Sequence, residues 1–419
     1  MTERLYDIFL RSAGVATDSR ELKVGAMFFA LRGAAFDGNR FAASALMNGA
    51  SCAIVDDPQA AVANDERYIV VDDALTELQN LAAHHRQMLG IPILAITGSN
   101  GKTTTKELVA RVLGMKFDVF STRGNLNNHI GVPLTLLAMS SETQFGVVEM
   151  GASAVGEIAA LCRIAAPDFG IITNIGRAHL EGFGSAEGVR RGKGELYDWL
   201  AAHGGTAFVP TDDAVLMEMA CERTGLRTAD YSTAFAEGIH NPLTGDYNMR
   251  NIAAAVAIGR YFGVAAQDVR RAIESYSPDN HRSQLVETKR NTLVLDCYNA
   301  NPSSMFEAVS DFAATPPSRD AREKAVMLGD MMELGEYSAA EHGRILALLG
   351  EVGIEDIYLV GTHFTQAVRD LPEMPDERIR TFSATDELAA YLRHSPLADR
   401  RILIKGSRSL RLETLVDLL

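Results

Sequence analysis

The segment Gly98-Ser99-Asn100-Gly101-Lys102-Thr103-Thr104 restricts the fold more than any other stretch of this chain. It follows an apolar run over 91–96 and leads into a helical pattern over 105–116. A strand, a glycine-rich turn and a helix in that order are the context of a phosphate-binding loop. Glycines let backbone N–H groups wrap an anion, the helix N-terminus adds positive potential, and Lys102 adds a full charge. Thr103 carries a hydroxyl suited to a magnesium ion. The consensus G-x4-G-K-[ST] would place a glycine where Ile96 stands, so the match is partial. The plainer reading is a Gly-Asn turn followed by an unrelated lysine. The coincidence of strand, glycines, Lys-Thr and helix argues against it.

Around this loop, β-branched apolar runs recur at 26–31, 52–55, 93–97, 146–150, 169–175, 207–210, 292–296, 325–329, 357–361 and 401–405. Helical patterns lie between many of them, as at 75–88, 154–164, 251–262 and 340–349. Strand alternating with helix predicts an α/β protein with parallel sheets covered on both faces. A length of 419 residues predicts two or three domains. One boundary is expected near 86–91, before the phosphate-loop strand. A second is expected near 277–281, where Ser277-Pro278-Asp279-Asn280 reads as a turn or linker.

A net charge of −14 argues against a general nucleic-acid binder and against an anionic-membrane binder. The four cysteines, Cys52, Cys162, Cys221 and Cys297, are far apart and suggest neither a zinc site nor a disulfide framework. No run of 18 apolar residues is present, so no membrane span is expected. Residues 1–14 contain acidic side chains and lack a signal-peptide apolar core. Together these features predict a cytoplasmic protein.

Several strand ends carry chemistry. Glu149 closes the strand pattern at 146–150, where a carboxylate beside a phosphate loop helps hold a metal. His179 follows the strand pattern at 169–175 and reads as a second metal ligand or as an ordinary loop histidine. Lys193 reads as an exposed charged helix start, or as a lysine whose neighbouring cations lower its pKa. Asn248 is a candidate for a base edge or a helix N-cap. Asp296 and Asn299 close another strand and suit a ribose or an Asx-turn. Asp330 to Gly335 and Lys405 to Arg408 each follow a strand and suit loops that face a ligand.

In order along essentially the whole chain, these segments resemble the Mur ligase family, which builds the peptide of bacterial cell-wall precursors. The loop Thr97 to Thr104 is similar to that family's shortened phosphate loop. Glu149, His179 and Lys193 match its metal glutamate, metal histidine and modified lysine. Gly124-Asn125-Leu126-Asn127-Asn128-His129-Ile130-Gly131, Tyr298-Asn299-Ala300-Asn301-Pro302 and Gly329-Asp330-Met331-Met332-Glu333-Leu334-Gly335 resemble one subtype. Thr17-Asp18-Ser19-Arg20, with residues 28–33 and 36–38, resembles its uridine-nucleotide domain. Asn39 stands where many relatives carry histidine.

The resemblance implies a three-domain α/β protein. Residues 1–88 would bind the UDP-linked substrate through Ser19 and Arg20. Residues 89–279 would form the central phosphate-loop domain. Residues 280–419 would form a Rossmann-like ligase domain binding an incoming dipeptide. The implied activity is ATP-dependent amide ligation joining D-alanyl-D-alanine to UDP-N-acetylmuramoyl-tripeptide, with lysine or diaminopimelate as the third residue. Gly98, Ser99, Asn100, Gly101, Lys102, Thr103, Thr104, Asn248, Arg282 and Asp296 would bind ATP. Thr103, Glu149, His179 and a carbamylated Lys193 would hold two magnesium ions, and Lys102, Glu149, His179 and Lys193 would be catalytic. Asn127 or, in preference, Asn128 would orient the muramoyl substrate, and Asp330, Lys405 and Ser407 would hold the dipeptide. For Asp330 and Lys405 a buried salt bridge is a close second reading. The protein is expected to act as a monomer without nucleic acid. Rival readings are a sister ligase, a folylpolyglutamate synthetase and, in another class, a phosphate-loop nucleotide switch.

Overall fold

The computed structural model describes residues 1–419 apart from 242, 244, 316–322 and 371–376. Three sheets follow one another along the chain. The first orders Val15–Ala16, Met27–Phe29, Cys52–Val55 and Tyr68–Val70, all parallel. The second orders Arg227–Tyr231, Thr206–Pro210, Phe169–Ile172, Ile93–Thr97, Phe145–Glu149 and Val119–Ser121, again all parallel. The third orders Gln284–Glu287, Thr292–Asp296, Arg400–Lys405, Glu323–Gly329, Asp356–Val360 and Ile379–Phe382. Its first pair is antiparallel, a departure from the all-parallel expectation. That edge strand runs directly back into Thr292–Asp296 through a short turn, and no crossover helix intervenes.

The central sheet places the site. Its strand Ile93–Thr97 lies between Phe145–Glu149 and Phe169–Ile172, so the chain leaves in opposite directions on its two sides. A crevice opens at the carboxyl ends of strands at such a switch point. Helix Lys102–Leu113 and helix Asp246–Tyr261 cover one face, with Leu108, Val109, Val112 and an alanine-rich stretch buried there. The other face meets helix Glu157–Ala165, helix Ala186–His203 and helix Ala74–Leu89.

Helix Ala74–Leu89 joins the first sheet to the central one. Asp73 caps it by accepting from the Thr76 N–H at 2.6 Å, and Gly90 ends it at φ 61°. Leu78, Leu81 and Ala82 enter a core that runs continuously into the central sheet. Buried Arg86 donates to the Ala165 carbonyl at 3.0 Å and pairs with Asp168 at 2.8 Å.

The third sheet's domain docks on the central one through an apolar cluster that includes Leu180, Phe183 and Leu334, and through polar contacts. Asn301 Nδ2 donates to Asn100 Oδ1 at 2.7 Å, and the Arg177 N–H donates to Ser303 Oγ at 2.8 Å. Arg177 also pairs with buried Glu341 at 2.6 Å. Asn301 starts helix Pro302–Ala314 with a reciprocal capping box to Ser304. The same side chain therefore caps a helix and touches the phosphate loop.

Candidate active site

Gly98 and Gly101 have φ of 138° and 77°, and a Cβ on Gly98 would collide with Thr173 Oγ1. Both positions need glycine. Helix Lys102–Leu113 has no side-chain cap, which leaves its N-terminal amides for an anion. Lys102 Nζ donates to the carbonyls of Gly98 at 2.7 Å and Ser99 at 3.1 Å. Burial brings its pKa down to about 8, against the pull of the Glu149 charge and with a further push from Arg282.

Strand register sets Glu149 beside the loop, opposite Ile96. Asn127 Nδ2 donates to Glu149 Oε1 at 2.8 Å, while Oε2 is buried with no hydrogen-bond partner. The buried Lys106 ammonium lies 4.0 Å from that oxygen, too far to hydrogen-bond it, and a buried carboxylate oxygen in this state is a donor suited to a hard cation. Among the described residues, no three His, Cys, Asp or Glu side chains form a ready metal cage. A magnesium ion here would draw its other ligands from the Thr103 hydroxyl, phosphate oxygens and water.

His179 precedes helix Leu180–Phe183 at φ 52°, and its Nδ1 contacts the Glu333 carboxylate of the third sheet's domain. Lys193 lies in the middle of helix Ala186–His203 and is almost fully buried, which overturns the exposed helix start. Its Nζ donates to the Ala152 carbonyl at 3.0 Å. Its pKa is lowered well below the ordinary lysine value, first by burial and then by the Lys102 charge. The nearby arginines are not the cause, and Arg190 is engaged by Glu222 at 2.6 Å.

From the third sheet, Asp296 and Lys405 face each other in strand register and pair at 2.6 Å. The Ser283 N–H donates to Asp296 Oδ1 at 3.2 Å. The Arg282 guanidinium lies 4.0 Å from the centre of the Tyr298 ring.

These groups enclose a cavity of about 590 Å³. Ser99 to Thr104, Asn127, Asn128, Glu149, His179, Arg282, Asp296 and Lys405 all line it. Gly98 and Lys193 do not line it, and other expected residues also lie elsewhere. Asp330 is buried, and its carboxylate accepts from the His363 and Phe364 N–H groups, both at 2.9 Å, at the start of helix Thr362–Asp370. Ser407 Oγ accepts from the Met332 N–H at 3.1 Å. Both fix the third-domain loops and do not line the cavity. Asn248 is buried inside helix Asp246–Tyr261, off the cavity wall, and donates to Ser283 Oγ at 3.2 Å. Asn128 Oδ1 accepts from the Gly131 N–H at 2.9 Å and stabilises the start of helix Gly131–Leu137. Ser19 and Arg20 sit apart from this cavity, with Arg20 exposed and paired to Asp18 at 2.6 Å. Asn39 is buried and donates to Asp37 and Asp56, both at 2.8 Å.

Residue-by-residue reading missed Glu157, Asn301 and Glu333 on the wall. Asn301 and Glu333 stood inside the motifs already singled out. Nothing local marks Glu157, whose Oε2 accepts from the Ser153 N–H at 2.7 Å.

Known proteins share this arrangement. The pattern of the Mur ligase middle domain matches residues 96–236, that of the Mur ligase glutamate ligase domain 281–408, and that of the Mur ligase family catalytic domain 11–86. The chain belongs to the Mur ligase family. Among curated Mur ligases, the UDP-N-acetylmuramoyl-tripeptide–D-alanyl-D-alanine ligase of Bacillus subtilis is 34% identical over 96% of this chain and 92% of its own length. The protein of the same description from Escherichia coli is 31% identical over 96% and 92%. The crystal structure of MurF from Acinetobacter baumannii superposes with a TM-score of 0.86 at 29% identity, covering 100% of this chain and 98% of that one. MurF ligase from Thermotoga maritima, solved in complex with ADP, gives 0.82 at 26% identity, covering 98% and 97%. These structures share the three-domain Mur ligase architecture seen here.

Proposed function

We propose that this protein is the ATP-dependent ligase that joins D-alanyl-D-alanine to UDP-N-acetylmuramoyl-tripeptide, giving the UDP-linked pentapeptide of peptidoglycan synthesis. The observation that carries the reading is the single cavity shared by the phosphate loop, Glu149 and the strand ends of the third domain. It matches a reaction that must bring nucleotide, carboxylate and amine together. The whole-length similarity to ligases of that description selects it over the sister ligases and the folylpolyglutamate synthetases. The pairing of the Mur ligase middle and ligase domains leaves a nucleotide switch without support.

A free carboxylate acylates amines poorly. In this reading the tripeptide carboxylate attacks the γ-phosphorus of ATP, the bond to the β-phosphate oxygen breaks, and ADP leaves an acyl phosphate. The dipeptide amine then attacks the acyl carbon, and the tetrahedral intermediate collapses with loss of phosphate and a proton. Lys102 and the loop amides stabilise charge on the β- and γ-phosphates. Thr103, Glu149, His179 and Lys193, the last as a carbamate, would hold two magnesium ions. Bound magnesium offsets the repulsion between the carboxylate and the γ-phosphate. Burial lowers the Lys193 pKa and so favours the neutral amine that carbon dioxide requires, and a carbamate would reverse its charge. Arg282 is assigned to phosphate and Asp296 to ribose.

Residues 1–88 serve the UDP-linked substrate, 89–279 the nucleotide and 280–419 the dipeptide. Closure of these domains around the substrates excludes water from the acyl phosphate. No helix among the described residues is long and apolar enough to cross a membrane. The dependence on ATP supports a cytoplasmic location, and the enzyme is taken to act as a monomer.

The test is ADP release with ATP, magnesium and UDP-N-acetylmuramoyl-tripeptide, with and without D-alanyl-D-alanine, while product mass is followed. Dipeptide-dependent ADP release with pentapeptide formation is expected. ADP release without a condensed product would remove the assignment.

A further inference from the structure

Glu333 belongs to the loop that follows strand Glu323–Gly329, and it reaches across to the central domain. Its carboxylate contacts His179 Nδ1, and its backbone carbonyl accepts from the Glu181 N–H at 3.3 Å. Both side chains line the cavity. Both residues also have left-handed backbones, with φ of 61° for Glu333 and 52° for His179. Residues other than glycine adopt that region at a cost and are held there by their surroundings. Two such residues meeting side chain to side chain across a domain boundary mark a built contact.

A carboxylate on one imidazole nitrogen fixes the ring's tautomer and orientation and makes the other nitrogen a better donor. With Nδ1 against the Glu333 carboxylate, Nε2 is the nitrogen left for a metal. We propose that Glu333 is a positioning residue for His179, so that a complete metal site in the central domain exists only while the third domain is docked. The inference rests on the metal role given to His179 above and adds to it a cross-domain dependence. The neighbouring Arg177–Glu341 pair and the Tyr337 hydroxyl on the Gly184 carbonyl, at 2.6 and 3.2 Å, hold the same two domains together. They support the docking without touching the ring.

The experiment titrates Mn²⁺ into the full-length protein with a non-hydrolysable ATP analogue and counts bound Mn²⁺ by electron paramagnetic resonance. It compares wild type, H179A, E333A and E333Q, with thermal melts to confirm that each variant is folded. H179A is expected to lose one Mn²⁺. E333A is expected to weaken that same ion about tenfold and leave the other unchanged. E333Q, whose amide oxygen still accepts from Nδ1–H, is expected to recover most of the affinity. Loss in H179A with wild-type binding in E333A would overturn the inference alone. Equal loss in E333A and E333Q would make Glu333 a direct ligand and overturn its positioning role. Unchanged binding in H179A would remove the metal reading of His179 itself, and the inference with it.

Discussion

The Lys405 ammonium lies 2.6 Å from an Asp296 carboxylate oxygen, across two neighbouring strands held in register. Lys405 is almost fully buried, whereas the Asp296 side chain keeps 17% of its exposure. Removing the carboxylate leaves a cation with little water, and that costs more than removing the cation. D296A is therefore expected to lower unfolding stability by about 3 kcal/mol, and K405M by clearly less. Urea unfolding of the two variants checks the order.

Asn127 holds one oxygen of Glu149, and the other is buried without a hydrogen bond, 4.0 Å from the Lys106 ammonium. N127A should free the carboxylate to rotate. The magnesium concentration for half-maximal ADP release is expected to rise about tenfold. The KM for the UDP-linked tripeptide should change less. A KM effect with unchanged magnesium dependence would return Asn127 to substrate binding.

Lys193 is buried and its pKa is depressed. K193A should reduce turnover about a hundredfold or more while the fold survives. Short-chain carboxylic acids should restore part of the rate by supplying the missing anion. Full activity in the unsupplemented variant would remove the carbamate from the mechanism.

His342 and His85 make stability acid-sensitive. His342 Nδ1–H donates to the Ser338 carbonyl at 2.8 Å, and Nε2 accepts from the Met331 N–H at 3.1 Å. His85 Nε2–H donates to the Met139 carbonyl at 3.0 Å. Both rings are kept neutral, and burial is the chief cause of their lowered pKa. Between the lowered folded pKa and the unfolded value of about 6.5, the unfolded chain binds more protons. Stability is therefore full above about pH 6.5 and falls as the pH drops toward the folded pKa, by up to about 1.4 kcal/mol per pH unit for each ring. Urea midpoints between pH 7.5 and 5.5 should show this slope, and H342Q should flatten it.

Chain-local chemistry was enough to specify the phosphate loop. The strand, the two glycines with positive φ and the uncapped helix start are contiguous, and their geometry depends on neighbours in sequence. Glu149 was legible for a related reason, because a residue that closes a buried strand reaches the carboxyl edge of the sheet. Strand Arg227–Tyr231 was not legible, since it is a mostly polar edge strand with one buried residue. Strand Val15–Ala16, two residues long, is too short to show a period.

The sequence by itself determined the family, the order of the domains and the segments that reach the cavity. Only the tertiary structure decided which way their side chains turn. Asp330 and Ser407 follow strands just as Glu149 does. Yet Asp330 turns to the helix that begins at Thr362, and Ser407 to the Met332 amide. Lys193 is buried because helix Ala186–His203 packs against the central sheet, and Glu333 meets His179 because two separate sheets dock. The period of a helix or strand is written in adjacent residues. The partner of a side chain is set by packing against segments far away in the chain, which no local pattern records.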